Sequence, residues 1–66
     1  MSDIYLNQHG IEVSKDGGRL AIKSKDGQVK YVPLSYADCL IVTASVQITY
    51  AAIMAVLANK GSIIYI

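Results

Sequence analysis

Two Asp-Gly pairs set ten residues apart, Asp16-Gly17 and Asp26-Gly27, constrain this chain more than any other feature. An Asp-Gly step supplies the positive φ angles of tight hairpin turns, so each pair predicts a reversal between antiparallel strands. The flanking residues agree. Leu20 and Ile22 alternate with other residues between the two turns, Ile11 and Val13 alternate before the first, and Gln28 to Val32 follows the second. A period of two marks a half-buried strand. Ile4 and Leu6 are spaced in the same way, and Asn7-Gln8-His9-Gly10 reads as a third turn with Gly10 as its permissive residue. Pro33 cannot donate to a ladder and closes the fourth strand. Residues 1–36 therefore read as a meander, with strands near 3–7, 10–15, 19–24 and 28–33.

The second half is different in kind. Nine of the eleven charged side chains lie in residues 1–36; only Asp38 and Lys60 follow, and Cys39 to Asn59 carries no charge. A stretch of that length approaches the ~20 apolar residues of a membrane span. Thr43, Ser45, Gln47 and Thr49 interrupt it, however, and its character changes midway. Cys39-Leu40-Ile41-Val42 suits a buried strand, and Val46 to Ile48 a further short one. Thr49 can cap a helix near 49–59 whose Tyr50, Ile53, Met54 and Leu57 recur at helical spacing. Alanines 51, 52, 55 and 58 raise its propensity. Lys60 is expected in the last turn and Gly61 at the C′ position, before a final strand near 62–66. A strand–helix–strand unit predicts a right-handed crossover into a parallel pair. The fold class expected is α+β, mainly β: an antiparallel meander of short strands, then strand–helix–strand in residues 37–66. Ile66 stands in an apolar run with no turn after it, the pattern expected of a chain truncated after its last strand.

Sixty-six residues make one domain, and a chain so short buries only ~60% of its unfolded surface. Cys39 is the sole cysteine and His9 the sole histidine, so neither a disulfide nor a structural zinc site can staple it. With 53% hydrophobic and 17% charged residues it is not a disordered chain. A dense core, a partner subunit or further chain must supply the stability. A net charge of +1 gives no basic stripe for nucleic acid. The start Met-Ser-Asp-Ile-Tyr is no signal peptide, and a lone thiol suits a reducing cytosol.

Groups able to do chemistry are few. His9 lies in a turn with no partner in the pattern to make it a ligand or base. Asp16 and Asp26 are accounted for by turn chemistry, and Glu12 by an outward position between Ile11 and Val13. Asp3 and Asp38 stand alone. Ser35, Ser45 and Ser62 have no nucleophile elbow, and Gly17-Gly18 lacks the Lys-Ser or Lys-Thr of a phosphate loop. Cys39 reads as an inert core thiol and Tyr50 as core. Tyr5, Tyr31, Tyr36 and Tyr65 suit either core or interface. No catalytic or metal-binding residue is expected in this chain.

The order of segments resembles one family. Ile4-Tyr5-Leu6-Asn7, the turn with Gly10 and Val13-Ser14-Lys15-Asp16-Gly17 look like the start of the CRISPR-associated spacer-acquisition integrases. Arg19-Leu20-Ala21-Ile22-Lys23, Val32-Pro33-Leu34 and Cys39-Leu40-Ile41-Val42 continue the pattern. The tetrad Val46-Gln47-Ile48-Thr49, the alanine-rich helix and Lys60-Gly61 with its strand complete it over the whole chain. The resemblance implies a β-rich N-terminal domain, through which such integrases pair. Two such dimers flank a dimer of a small ferredoxin-like CRISPR-associated partner protein, and the assembly inserts short double-stranded DNA into the CRISPR array in antiviral defence, in a prokaryotic cytoplasm.

By the same resemblance, catalysis belongs to a helical C-terminal domain whose acidic residues and histidine bind Mg²⁺ or Mn²⁺; that domain is absent here and no metal ligand carries over. Some relatives stack an aromatic residue of the first turn on the DNA end. Here Gln8 and His9 occupy that turn, a departure from the aromatic pattern, and they are the candidate residues for contact with a DNA end. Gln47, Thr49 and Gly61 are expected to be structural, Gln47 as a polar side chain closing the turn before the helix. Two other readings stand beside this one: a stand-alone protein-interaction module, and a single-pass membrane peptide spanning about 39–59.

Overall fold

The computed structural model describes residues 2–66. Its strands are β1 (Asp3–Leu6), β2 (Ile11–Asp16), β3 (Arg19–Lys23), β4 (Val29–Pro33), β5 (Cys39–Val42), β6 (Val46–Ile48) and β7 (Ser62–Tyr65). One helix, α1 (Tyr50–Ala58), precedes β7, and a 3₁₀ turn at Leu34–Tyr36 follows β4. The α+β, mainly β class holds.

Both Asp-Gly pairs make hairpins. Asp16 faces Arg19 in register, leaving Gly17-Gly18 as a two-residue loop with φ +62° at Gly17. The second hairpin is longer. Ser24 N–H donates to Gln28 O at 2.8 Å and Gly27 N–H to Ser24 O at 3.0 Å, with Gly27 at φ +96°. That is a three-residue loop whose last position demands a left-handed residue. Strands β2, β3 and β4 form the meander, and β6 joins β2 in parallel to give the order β4-β3-β2-β6. Pro33 ends β4 at the sheet edge, where a missing donor costs nothing.

The first strand leaves the meander. β1 pairs in parallel with β5, which pairs in parallel with β7, making a second sheet of order β1-β5-β7. The residues carry the reason. Ile4-Tyr5-Leu6, Leu40-Ile41-Val42 and Ile63-Ile64-Tyr65 are continuous apolar runs, the pattern of parallel strands, whereas β2 and β3 bury alternate residues. Asn7-Gln8-His9-Gly10 is accordingly a crossing between sheets and closes no hairpin. The expected parallel pairing around the helix is present as β5 with β7.

One core joins the layers. Leu6, Leu40 and Val42 from the parallel sheet meet Ile11, Val13 and Leu20 from the meander, with Ala37, Ala52 and Val56 completing the cluster. The helix departs from expectation. Its buried residues are Ala52 and Val56, while Tyr50, Met54 and Leu57 are exposed at 76%, 45% and 49%. A helix apolar on nearly every side shows no unique stripe. The small face packs because it lets the backbone approach β2 and β7 closely.

The helix ends are well defined. Thr49 Oγ1 accepts from Ala52 N–H at 3.2 Å as N-cap. At the other end Asn59 is the C-cap, so Lys60 lies beyond the last turn and takes the left-handed C′ position at φ +64°. Lys60 N–H donates to Leu57 O at 3.1 Å and Gly61 N–H to Val56 O at 2.8 Å, the paired bonds of a Schellman motif. Gly61 thus stands at C″, one position later than expected, and serves by lacking a side chain. A Cβ there would lie 2.8 Å from Val56 Cγ1 and 2.9 Å from Ala37 O.

Residues 39–59 are two strands and a nine-residue helix, which removes the single-pass membrane reading. Among the described residues no helix is long and apolar enough to cross a membrane.

Candidate nucleic-acid interface

The crossing from β1 to β2 borders a cleft of about 720 Å³ between the two sheets. Half-buried Ile4, Ile22 and Val32 are among its apolar lining, and Gln8, Lys25 and Lys30 stand in its polar part. Lys30 sits in register with Ile22, on the inward side of edge strand β4. An inward lysine on an edge strand discourages pairing with another chain. Lysines beside amide side chains suit phosphate and sugar oxygens, contacts that position nucleic acid without reading its sequence. Asp26 also lines this cleft. Its carboxylate accepts from Ser24 Oγ–H and from Gln28 N–H at 3.1 Å. These bonds, the serine first, hold the Asp26 carboxyl below its ordinary value, so it stays charged and tempers the lysines.

The two residues expected at a DNA end lie side by side but differ in freedom. Gln8 is exposed. His9 is tied down: its Nδ1 accepts from Ser45 N–H at 3.0 Å, and Gly10 N–H donates to Ser45 O at 2.9 Å. Gly10 has φ +87°, and a Cβ there would stand 3.0 Å from Lys25 Cβ, so loop and hairpin are in close contact. Sequence reasoning offered no partner for His9; the pairing spans 36 positions and depends on β6 joining β2.

The residues expected to be structural gather around α1, in different ways. Thr49 and Gly61 fix its two ends. Gln47 does not close the turn before it: its side chain is exposed on β6 opposite Glu12, and the turn is held by Thr49, whose N–H donates to Val13 O at 3.0 Å.

Across the molecule the outer face of the parallel sheet carries Tyr5, Ile41 and Ile64 in one register row, with Asp3, Cys39 and Ser62 in another. Cys39 is half-buried on this outer face rather than in the core, because Leu40 and Val42 take the inward positions. Tyr5 and Ile64 are 63% and 47% exposed. Tyr36 and Tyr65 are exposed too, and Tyr31 lies under the Arg19 guanidinium at 3.8 Å.

With that geometry in place, the chain can be set beside known proteins. The model of the family described as CRISPR associated protein Cas1 matches residues 4–66. The chain belongs to the Cas1 family. TtCas1 in a complex with DNA shares its fold with a TM-score of 0.82 at 20% identity, over 98% of this chain and 22% of that one. A CAS1 protein from Thermotoga maritima gives 0.79 at 16% identity, over 97% and 20%. A casposase bound to an integration product gives 0.77 at 24% identity, over 100% and 21%. At these identities the likeness is one of fold. This chain spans about a fifth of the length of those structures. No curated protein matches the sequence.

The segments that carried the family resemblance run from β1 to β7, and the most specific of them bracket α1 and lay down β7. The divalent metal of the resembled integrases finds no fit here. Among the described residues no three of His, Cys, Asp and Glu gather: Glu12 and Asp16 stand near opposite ends of β2, and Asp3, Asp26 and Asp38 lie on other segments.

Proposed function

We propose that this chain is the N-terminal, non-catalytic assembly domain of a Cas1 integrase, pairing with a second copy. Tyr5, Ile41 and Ile64 carry this reading: a row on the outer face of an all-parallel sheet in which Tyr5 and Ile64 are exposed and Ile41 is half-buried between them. Parallel sheets are ordinarily covered on both faces. A second copy related by a two-fold axis brings the same row to itself, the commonest closed arrangement. In the full assembly, the small ferredoxin-like partner and double-stranded DNA join this dimer in the cytoplasm. The loop with Gln8 and His9 then lies at a DNA end, and Mg²⁺ or Mn²⁺ chemistry is supplied by a helical domain outside these residues.

Sedimentation at several concentrations tests the pairing. The wild-type chain is expected as a discrete dimer and Ile64→Lys as a folded monomer, since Ile64 points away from the core. A wild-type monomer at every concentration, or an undiminished Ile64→Lys dimer, contradicts it. Incubated with branched DNA and Mn²⁺, the chain is expected to cleave nothing above a buffer control. Metal-dependent nicking that survives repurification and is lost in Glu12→Ala contradicts the non-catalytic part.

A further inference from the structure

The crossing from β1 to β2 is held to the segment between β5 and β6 by three hydrogen bonds. Thr43 N–H donates to Leu6 O at 3.1 Å, Gly10 N–H to Ser45 O at 2.9 Å, and Ser45 N–H to His9 Nδ1 at 3.0 Å. The first two are backbone pairs and do not respond to pH. The third does. Accepting at Nδ1 needs a lone pair on that nitrogen, so the imidazole is neutral and carries its proton on Nε2. A second proton turns Nδ1 into a donor facing another donor, and the bond is lost.

We infer that His9 is a proton-operated clasp: neutral, it adds a side-chain bond between the loop Asn7–Gly10 and Ser45; protonated, it drops that bond and leaves the loop on its two backbone bonds. Gly10 ends this loop at φ +87°, a backbone conformation open to few other residues. The charged groups around the clasp are few. Lys25 packs against Gly10, Asp26 follows it on the same hairpin, and Glu12 stands two residues beyond Gly10 on β2. The segment Thr43-Ala44-Ser45 is uncharged. The clasp stands on geometry alone. Its consequence for DNA, a loop bearing Gln8 that is ordered near neutral pH and loosened in acid, rests on the function proposed above.

Nuclear magnetic resonance of the whole chain between about pH 8 and about pH 5 tests it, following the ring nitrogens of His9 and the Ser45 amide together. The Ser45 amide is expected to shift with the same midpoint as the imidazole. Its protection from hydrogen exchange is expected to fall roughly three- to tenfold, the worth of one hydrogen bond, while the Thr49 amide stays unchanged. His9→Asn sets an amide oxygen where Nδ1 stood, so protection is expected to persist without the pH response; His9→Ala is expected to lose it at every pH. A proton on Nδ1 at the alkaline end, a Ser45 amide indifferent to the ring's titration, or an unaltered pH response in His9→Asn overturns the inference. Because none of these readouts uses DNA, the clasp and the DNA contact can fail separately.

Discussion

Replacing Gly61 by alanine tests how closely α1 is laid against the start of β7. The added Cβ would sit 2.8 Å from Val56 Cγ1, 2.9 Å from Ala37 O and 3.0 Å from Val56 O. Two of those atoms are backbone oxygens, and the third belongs to a fully buried β-branched side chain with little χ1 freedom. Val56 O is further fixed by the N–H of Gly61 itself at 2.8 Å. Forcing a methyl into such a site costs about 1–3 kcal/mol. Since φ at Gly61 is not positive, alanine also narrows the unfolded ensemble and returns about 0.4–1 kcal/mol. The difference spans about 0–2.6 kcal/mol, and two backbone oxygens that cannot give way place the net loss in its middle, at about 1–2 kcal/mol. An unfolding entropy of roughly 2.1 cal/mol/K per residue, over 66 residues, makes this a fall in Tm of about 7–14 °C. Thermal unfolding followed by circular dichroism at fixed protein concentration measures it. A Gly61→Ala chain as stable as wild type, or more stable, would refute the close approach.

Lys60→Gly should act in the opposite direction and raise stability by about 0.5–1 kcal/mol in the same assay, because Lys60 occupies the left-handed region at φ +64°. Val56→Ala should cost about 2 kcal/mol by removing buried methyls, and Tyr50→Ser no more than about 0.5 kcal/mol; a reversed order would return Tyr50 to the core. The Asp26 carboxyl, held low in the folded chain, adds stability that is fully present above its ordinary 3.8 and is lost as pH falls through the lower folded value. A carbon-13 titration should therefore place the Asp26 midpoint below 3.8, and Ser24→Ala should move it upward.

Legibility in the sequence followed the strength of the local chemistry. The hairpins at Gly17 and Gly27 and the Thr49 cap were readable because each rests on a few adjacent residues. The place of β1 was not. Ile4 and Leu6 alternate in either sheet, and only the third apolar residue, Tyr5, distinguishes a parallel strand from one of the meander. The helix face is hidden in the sequence for a related reason: Tyr50, Met54 and Leu57 outrank Ala52 and Val56 in size, yet close packing on β2 and β7 selects the small pair. At the candidate interface, Gln8 and His9 were found by position in the pattern. The Ser45 partner and the nearby lysines arise from long-range pairing that no local rule supplies.

The proposed pairing depends on β1 crossing to the second sheet, since that crossing aligns Tyr5 with Ile41 and Ile64. Nuclear Overhauser contacts between backbone protons of Ile4–Leu6 and those of Leu40–Val42 measure it directly. The register of Ile4 with Leu40, Tyr5 with Ile41 and Leu6 with Val42 predicts a parallel ladder of such contacts, in line with Ile63 to Tyr65 on the far side of β5. Contacts linking Ile4–Leu6 to Ile11–Val13 as an antiparallel hairpin would contradict the fold, and with it the exposed row on which the proposed assembly depends.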